Sequence, residues 1–424
     1  MKHVLWTEVR RSPLRWWFPV LVVLQMTVLL VKQYDWEFAW SETGAAAAAA
    51  ASFSLPIAAM AAGWAAHREH RSGDISQLHA HSRLPGLPHV VQFGVTLAYI
   101  LSSYAVTVLV AWATAVGASG WGVPWPGYLM MGVSFLTIAT GFGYAACRFV
   151  GSRLAVPAVG MVMFAVWLMV DKRSPLTLQI LGGYAGEEPA VAALAWRLVL
   201  ALSLCGLAVM MRPQQDRRRP RGGVIALPVA ATGLVMVAVA GMAAAGPLQV
   251  PRSAEGVTPV CTDTAIEICV WPDQAGFIPE LERYALRLEE LDRAGLDVPV
   301  AYTERGLLGH SWSEHPNLRL KSATGEWIRV GELTFHIAID LDSPDECVTD
   351  ATTTAQEWQQ DLQLVVVWPT FYVFGGHPPP GNGGGPPFDR ELMAEILALP
   401  EEEQIAWAVA TTDRLTAERP CGDV

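Results

Sequence analysis

Seven apolar runs dominate the first 246 residues of this 424-residue chain. Each is close to the roughly 20 residues that a helix needs to cross the hydrocarbon core of a bilayer. The chain is 52% hydrophobic and only 16% charged, a balance that soluble domains seldom have. The pattern predicts a multi-pass membrane domain with spans at about 16–32, 45–66, 89–115, 127–147, 154–170, 192–211 and 223–246. No small-residue cleavage site follows the first run, so we expect it to remain as an anchor.

The second run has the weakest signal of the seven. It contains the alanine stretch Ala45 to Ala51 and the helix-disrupting Pro56, so its transfer free energy into lipid is modest. Leu55, Ile57 and Met60 add apolar surface. Its assignment matters because its loss would invert the predicted orientation of every later span.

Positively charged residues predict which side of the membrane each loop occupies. Lys and Arg resist translocation and concentrate in cytoplasmic loops. Fourteen of them flank one set of span ends, and three, Lys32, Lys172 and Arg173, flank the other set. The count places the N-terminus in the cytoplasm and residues 247–424 outside it.

The two parts of the chain carry opposite charge. Residues 1–246 have a formal charge of +8, whereas residues 247–424 have −19. The acidic part would repel nucleic acid, so we exclude DNA or RNA as a partner. The predicted fold is an all-α polytopic membrane bundle of about seven transmembrane helices, followed by an α+β extracytoplasmic domain. Its domains are a six-helix part (1–222), a seventh transmembrane helix (223–246) and the acidic domain (247–424).

Local patterns outline the acidic domain. Residues 278–291 have apolar side chains at helical spacing up to Gly295, and residues 333–341 alternate like a half-buried strand. The apolar run 362–374 is too short for a span and contains Pro369, so we assign it to a buried core. A strand pair at 259–271, a Pro- and Gly-rich loop at 375–387 and helices near 388–398 and 401–418 complete the outline.

Cysteines provide an independent test of the orientation. Four of the six lie in the acidic domain, and disulfides persist outside the cytoplasm. Of the three possible pairings, we favour Cys261 with Cys269 and Cys347 with Cys421. The alternative is four free thiols in a cytoplasmic domain.

Motifs for enzymatic chemistry are missing from the sequence. A phosphate-binding loop ends in Gly-Lys-Ser or Gly-Lys-Thr, and none of the four lysines follows a glycine. The helical zinc-protease motif His-Glu-x-x-His is also absent. We therefore predict that the chain is not an enzyme and holds no cofactor or metal, and that ATP hydrolysis would require a separate polypeptide.

A few remaining side chains have both a functional and an ordinary explanation. Histidines gather near the second loop and in the acidic domain, but no complete metal-ligand set can be assigned, so we favour ordinary surface histidines. Arg197 is a charge inside a span, which by default suggests a site. Because it lies close to the outer end of its span, we favour snorkelling of its guanidinium to the surface.

The loop between the second and third spans is the most informative cytoplasmic segment. Ser72 or Asp74 can cap a short helix that places Ile75 and Leu78 on one side and ends before Pro85. Such a helix could receive force from a partner and pass it to the adjoining spans. A simple solvated connection fits the same spacing.

The same loop resembles the coupling helix of permease subunits of type-2 ABC exporters, which docks on an ATPase. The matching positions are Glu69, Gly73, Leu78 and Pro85. The opening segment, with Trp6, Trp16 and Trp17, resembles the interfacial helix of that family. The segment around Cys261 and Cys269 is similar to stretches of actinobacterial membrane proteins described as permease-like. The family plan lacks the seventh span and the large outer domain predicted here.

The resemblance implies an integral membrane permease subunit of an ATP-driven exporter in a bacterial plasma membrane. Its expected partners are the lipid bilayer, a separate ABC-type ATPase subunit, and a second copy of itself or a second permease. The ATPase-coupling loop would comprise Glu69, Gly73, Asp74, Ile75, Leu78 and Pro85. From its charge of −19, we expect the acidic domain to gate exit or to bind a cationic or peptidic substrate. The alternative is a membrane-anchored extracytoplasmic sensor or interaction protein without transport activity.

Overall fold

A computed structural model divides the chain into two compact units, Met1–Val250 and Pro251–Val424. We treat each unit by itself. The described residues are 6, 8–10, 12, 14–31, 36, 40–71, 87–117, 125–171, 174–180, 186–210, 226–296, 298–304, 307, 317–318, 353–373 and 389–417.

The first unit consists mainly of helices, as the apolar runs predict. Each predicted span coincides with a helix, or with a helix pair in the case of the second. The helices are α1 (Leu14–Val31), α2 (Trp40–Phe53), α3 (Leu55–Arg71), α4 (Leu87–Gly117), α5 (Pro126–Val150), α6 (Ala155–Met169), α7 (Val191–Met210) and α8 (Ala226–Ala245). Two short strands, β1 (Glu187–Pro189) and β2 (Gln249–Pro251), pair with each other.

Within the part of the chain that the structure describes, four helices are long and apolar enough to cross a membrane: α1, α4, α5 and α7. The pair α2 and α3 passes the same criterion when taken together, which makes up to five spans. α6 is apolar but has only 15 residues, and the part of α8 with described side chains, Val229–Ala245, is also shorter than a full span. The helical membrane character is therefore supported, whereas the number of seven spans stays a prediction.

The second predicted span is not one straight helix. α2 ends at Phe53 and α3 begins at Leu55, and the two axes differ by 51°. Pro56 lies in the first turn of α3, where its missing N–H costs no helical hydrogen bond. The chain therefore bends at Ser54, and the alanine-rich helix α2 does not continue straight into α3.

α5 forms the centre of the first unit. Of its most apolar 18-residue window, 72% is buried, compared with 22% for α1. It starts at Pro126 and ends at Gly151, whose φ of 67° is a left-handed conformation that glycine adopts easily. α5 packs against α2, α3 and α7.

The contact between α3 and α5 depends on small residues. A Cβ atom added to Gly143 would lie 2.8 Å from the carbonyl carbon of Ala59, and one added to Gly63 would lie 2.6 Å from Sγ of Cys147. Such distances are shorter than real Cβ contacts. Small residues at these positions let the two backbones touch, which is the usual basis of helix association in lipid.

The second unit contains a small sheet in the order β3, β4, β5 and β6. β3 and β4 are antiparallel, and Cys261 lies opposite Cys269, whereas β4, β5 and β6 are parallel. The strands are β3 (Val260–Cys261), β4 (Glu267–Val270), β5 (Ala301–Glu304) and β6 (Asn317–Leu318).

The second unit also contains four helices and a 3₁₀ turn among its described residues. A 3₁₀ turn (Pro272–Phe277) leads into α9 (Ile278–Arg293), which buries Leu281, Ala285, Leu288 and Leu291 as their spacing predicts. Gly295 ends this segment with a φ of 96°. The other helices are α10 (Thr353–Val373), α11 (Arg390–Leu397) and α12 (Glu401–Ala417).

Several predictions for this unit are confirmed and others lie outside the described residues. Residues 362–373 of the predicted run 362–374 belong to α10, whose Leu364, Trp368 and Phe371 are buried, in agreement with the assignment of the run to a core. α11 and α12 fall within the two predicted terminal helices. The predicted strand 333–341 and the loop 375–387 lie outside the described residues.

The close approach of α3 and α5 makes Gly143→Ala destabilising. Its methyl group would collide with the backbone of Ala59, and overpacking of this kind costs about 1–3 kcal/mol. Gly206→Ala is the matched control, because a Cβ there meets nothing within 4 Å. We expect the melting temperature in mild detergent to fall for Gly143→Ala and to stay level or rise slightly for Gly206→Ala. Equal melting temperatures for the two variants would contradict the packing described here.

Candidate functional site

The predicted coupling loop is described only at its two ends. Glu69 lies on α3, and α4 resumes the described chain at Leu87. The predicted residues Gly73, Asp74, Ile75, Leu78 and Pro85 lie outside the described residues, as does the side chain of Glu69. The arrangement of the helices that carry the loop is what the structure provides.

The residues before and at the start of α1, from Trp6 to Trp16, are called the N-terminal segment, and they contact both of these helices. Glu8 forms an ion pair with Arg68, which lies in the last turn of α3 before the loop. The hydroxyl of Tyr99 on α4 donates to the carbonyl oxygen of Val9 at 3.0 Å. Gln92 on α4 donates to the carbonyl of Ala65 on α3 at 2.9 Å. Movement of the loop ends is thereby linked to the N-terminal segment.

A buried polar cluster lies at the bend between α2 and α3. The side-chain amide of Gln25 on α1 donates to Oγ of Ser54 at 3.0 Å and to Oγ of Ser103 on α4 at 3.5 Å. The hydroxyl of Thr107 on α4 donates to Oε1 of Gln25 at 2.8 Å. All four side chains are fully buried. We call Gln25, Ser54, Ser103 and Thr107 the polar cluster.

The polar cluster sits deep in the predicted membrane region. Gln25 is the twelfth residue of α1, about 16 Å along the axis from its first residue, which is near the middle of a hydrocarbon core. Polar side chains at this depth are costly unless paired, and they often mark functional positions. Interrupted helices at the bilayer midplane are also a common site of substrate or ion contact in transporters.

The polar cluster was not identified from the sequence. A single Gln, Ser or Thr lowers the hydropathy of an apolar run only slightly, so each residue was absorbed into its predicted span. The available signals were a lone amide in the first run and the Ser54-Leu55-Pro56 sequence directly after the alanines. Neither indicates that α1, α4 and the bend meet.

Arg197 does not snorkel to the surface, so the favoured expectation was wrong. Its side chain is 0% exposed. The guanidinium donates to the carbonyls of Pro175 at 2.8 Å and Thr177 at 3.0 Å, and to that of Ala193 at 2.9 Å. These bonds hold the segment between α6 and α7 in place. The arginine is satisfied by backbone carbonyls, which gives it a structural role.

The second unit has a compact cluster of charged and aromatic side chains at the carboxyl ends of β4 and β5. The N–H of Trp271 donates to Oε2 of Glu304 at 2.9 Å. The guanidinium of Arg252 lies 4.1 Å from the ring centroid of Trp271 and bonds Oδ1 of Asp273 at 3.0 Å. Burial raises the pKa of Glu304 to about 8; the nearby Asp273 adds to the rise, while the Trp271 N–H and Arg252 oppose it.

Cys261 and Cys269 form a disulfide between the paired strands β3 and β4, as predicted. Cys347 and Cys421 lie outside the described residues, so the second predicted pair stays a prediction. Among the described residues, the one group with metal-ligand spacing is Cys261, Glu267 and Cys269. The disulfide consumes both of its sulfur atoms, which leaves that group unsuited to a metal ion.

Comparisons with known proteins give no relative. A scan against protein-family models, a search of curated proteins and a search of solved structures each find no match to this chain.

We expect Gln25→Leu to destabilise the first unit moderately. The substitution removes up to three interhelical hydrogen bonds, each worth about 0.6 kcal/mol in a membrane protein. Oγ of Ser54 and of Ser103 also contact carbonyls of their own helices at 2.7 Å, which limits the loss. We predict a loss of roughly 1–2 kcal/mol in an SDS-unfolding titration. Thr27→Val, on the exposed face of α1, should change the free energy of unfolding by less than about 0.5 kcal/mol.

The buried carboxyl of Glu304 makes the stability of the second unit fall as pH rises. Between the unfolded pKa of 4.5 and the folded pKa of about 8, the folded state keeps a proton that the unfolded chain has released. The free energy of unfolding should therefore decline by up to roughly 1.4 kcal/mol per pH unit in this window and level off above it.

Pulse proteolysis of the full chain with a C-terminal tag, from about pH 5 to pH 9, measures this slope. Glu304→Gln keeps an acceptor for the Trp271 N–H and should remove the Glu304 contribution. Glu267→Gln, at an exposed position on β4, should retain the slope of the unmodified chain. A slope that Glu304→Gln leaves unchanged would contradict the assignment.

Proposed function

We propose that this chain is an integral membrane permease subunit of an ATP-driven exporter. A separate ABC-type ATPase would bind the cytoplasmic loop between α3 and α4, and its hydrolysis cycle would move the helices that this loop joins. The chain would work as a homodimer or with a second permease. The observation that carries the proposal is the bent pair α2 and α3, with the polar cluster at its break and the loop at its end.

The helix contacts supply a route for force along α3. The last turn of α3 is joined to the N-terminal segment by the ion pair of Glu8 with Arg68. Its first residue, Leu55, follows Ser54 of the polar cluster. Between these points, close contact with Gly143 prevents α3 from deforming sideways against α5. A push at the loop would therefore be passed on as a displacement of the whole helix toward the bend.

The bend is the element that can respond. Ser54 separates two helices that differ in direction by 51°. Its hydroxyl accepts a hydrogen bond from the side-chain amide of Gln25 and donates one to the carbonyl of Ala51. Exchange of these hydrogen bonds would let α2 and α3 change their angle without burying an unpaired polar group. In the proposed mechanism, this change opens and closes the substrate path near the polar cluster.

The proposed topology has the N-terminus in the cytoplasm of a bacterium and the second unit outside its plasma membrane. The excess of Lys and Arg on one set of loops supports this orientation. The Cys261–Cys269 disulfide supports it independently, because such bonds persist on the oxidising side of the membrane. The acidic second unit would attract a cationic substrate, with binding that weakens as ionic strength rises.

The test is copurification of an ATPase with the tagged full chain from a native host in mild detergent. We expect an ATPase to be recovered, and the double variant Glu69→Lys with Leu78→Asp to reduce its recovery at least about tenfold, because the change places charge in the coupling interface.

The matched control is Glu188→Lys with Leu176→Asp, which makes the same changes at exposed positions in the connection between α6 and α7. It should retain the ATPase. Failure to recover any ATPase, with the chain intact and monodisperse, would reject transport in favour of a membrane-anchored sensor.

A further inference from the structure

The exposed face of the N-terminal segment carries two cation–aromatic pairs. The guanidinium of Arg10 lies 4.7 Å from the ring centroid of Trp6, and that of Arg15 lies 5.1 Å from the ring centroid of Trp16. All four side chains are exposed; Trp6 is 57% exposed and Trp16 is 69% exposed. An Arg15 N–H also donates to the carbonyl of Arg10 at 3.4 Å, which places the Arg15 guanidinium beside the Arg10 backbone.

The opposite side of the segment is fixed to the first unit. Glu8 pairs with Arg68, the carbonyl of Val9 accepts from Tyr99, and Leu14 is fully buried. The exposed face is therefore held in a constant direction. Two large aromatic rings are therefore exposed on this segment, and an arginine covers one face of each.

The position of this face relative to the apolar helix identifies its surroundings. α1 has 18 residues and is about 27 Å long, close to the thickness of a hydrocarbon core. Trp16 is its third residue, so it lies about 3 Å from the start of the span, at the level of the lipid headgroups. Tryptophan favours this level because its ring is apolar and its indole N–H is a donor.

We propose that Trp6, Arg10, Arg15 and Trp16 form a binding site for the phosphate of an anionic phospholipid headgroup. Guanidinium groups match phosphate oxygens in geometry and charge. The ring beneath each guanidinium restricts its rotation, so less conformational entropy is lost when the phosphate binds. The tryptophans lie against the upper part of the acyl chains. This site does not depend on the exporter proposal, since it requires only that α1 enters a bilayer.

The experiment measures lipid retained by the full chain in native mass spectrometry. The purified protein is exposed to equal amounts of phosphatidylglycerol and phosphatidylcholine with identical acyl chains. We expect the unmodified chain to prefer phosphatidylglycerol. The double variant Arg10→Gln with Arg15→Gln should lower this preference at least about tenfold, because each cation near the headgroup phosphate contributes roughly a factor of five.

Two control variants separate this site from general charge effects. Arg153→Gln removes an exposed arginine from another loop of the first unit and should change the preference less than about twofold. Arg10→Lys with Arg15→Lys keeps both charges but loses the planar guanidinium, so its preference should lie between those of the unmodified chain and of the double Gln variant. If the double Gln variant is unstable in phosphatidylcholine, each single Gln variant should still lower the preference about fivefold.

Three outcomes would overturn the proposal. The first is a double Gln variant that is folded and keeps the original preference. The second is an Arg153→Gln variant that loses as much as the double variant does. The third is competition by inorganic phosphate or glycerol phosphate as effective as that of the lipid, which would assign the site to a soluble anion.

Discussion

The first unit depends on the close approach of α3 and α5. Lipid tails are as apolar as leucine side chains, so the hydrophobic effect does not draw these helices together, and their association relies on packing. Gly143 and Gly63 allow that packing, because a side chain at either position would overlap its neighbour. This contact holds α3 against α5, the helix at the centre of the unit.

The polar cluster lies at the bend, where it supplies hydrogen bonds to Ser54. A helix that ended inside the bilayer would expose backbone groups that lipid cannot satisfy. Ser54 lies at this break, where its hydroxyl bonds the Ala51 carbonyl and also accepts the amide of Gln25. The cluster therefore lowers the cost of a broken span, and it joins α1 and α4 to the break.

The second unit is held together by a small sheet, a disulfide and a cluster of charged and aromatic side chains. Its parallel strands β4 and β5 bring Trp271 and Glu304 to one edge, and Arg252 covers the tryptophan ring while it bonds Asp273. Glu304 accepts the Trp271 N–H but lies in surroundings that favour its protonated form. The predicted disulfide closes the β3–β4 pair, and its presence agrees with an oxidising compartment.

The sequence alone predicted the apolar helices of the first unit, the buried face of α9 and the Cys261–Cys269 pair. These features follow from hydropathy, spacing and short separations along the chain, which are local properties. The tertiary structure alone decided the angle of the bend at Ser54, the burial of Arg197 and the polar cluster. Gln25 meets residues 29 and 82 positions away, and no local pattern encodes such contacts. Arg197 was misjudged because nearby carbonyls, contributed by a separate segment, satisfy a guanidinium as well as water does.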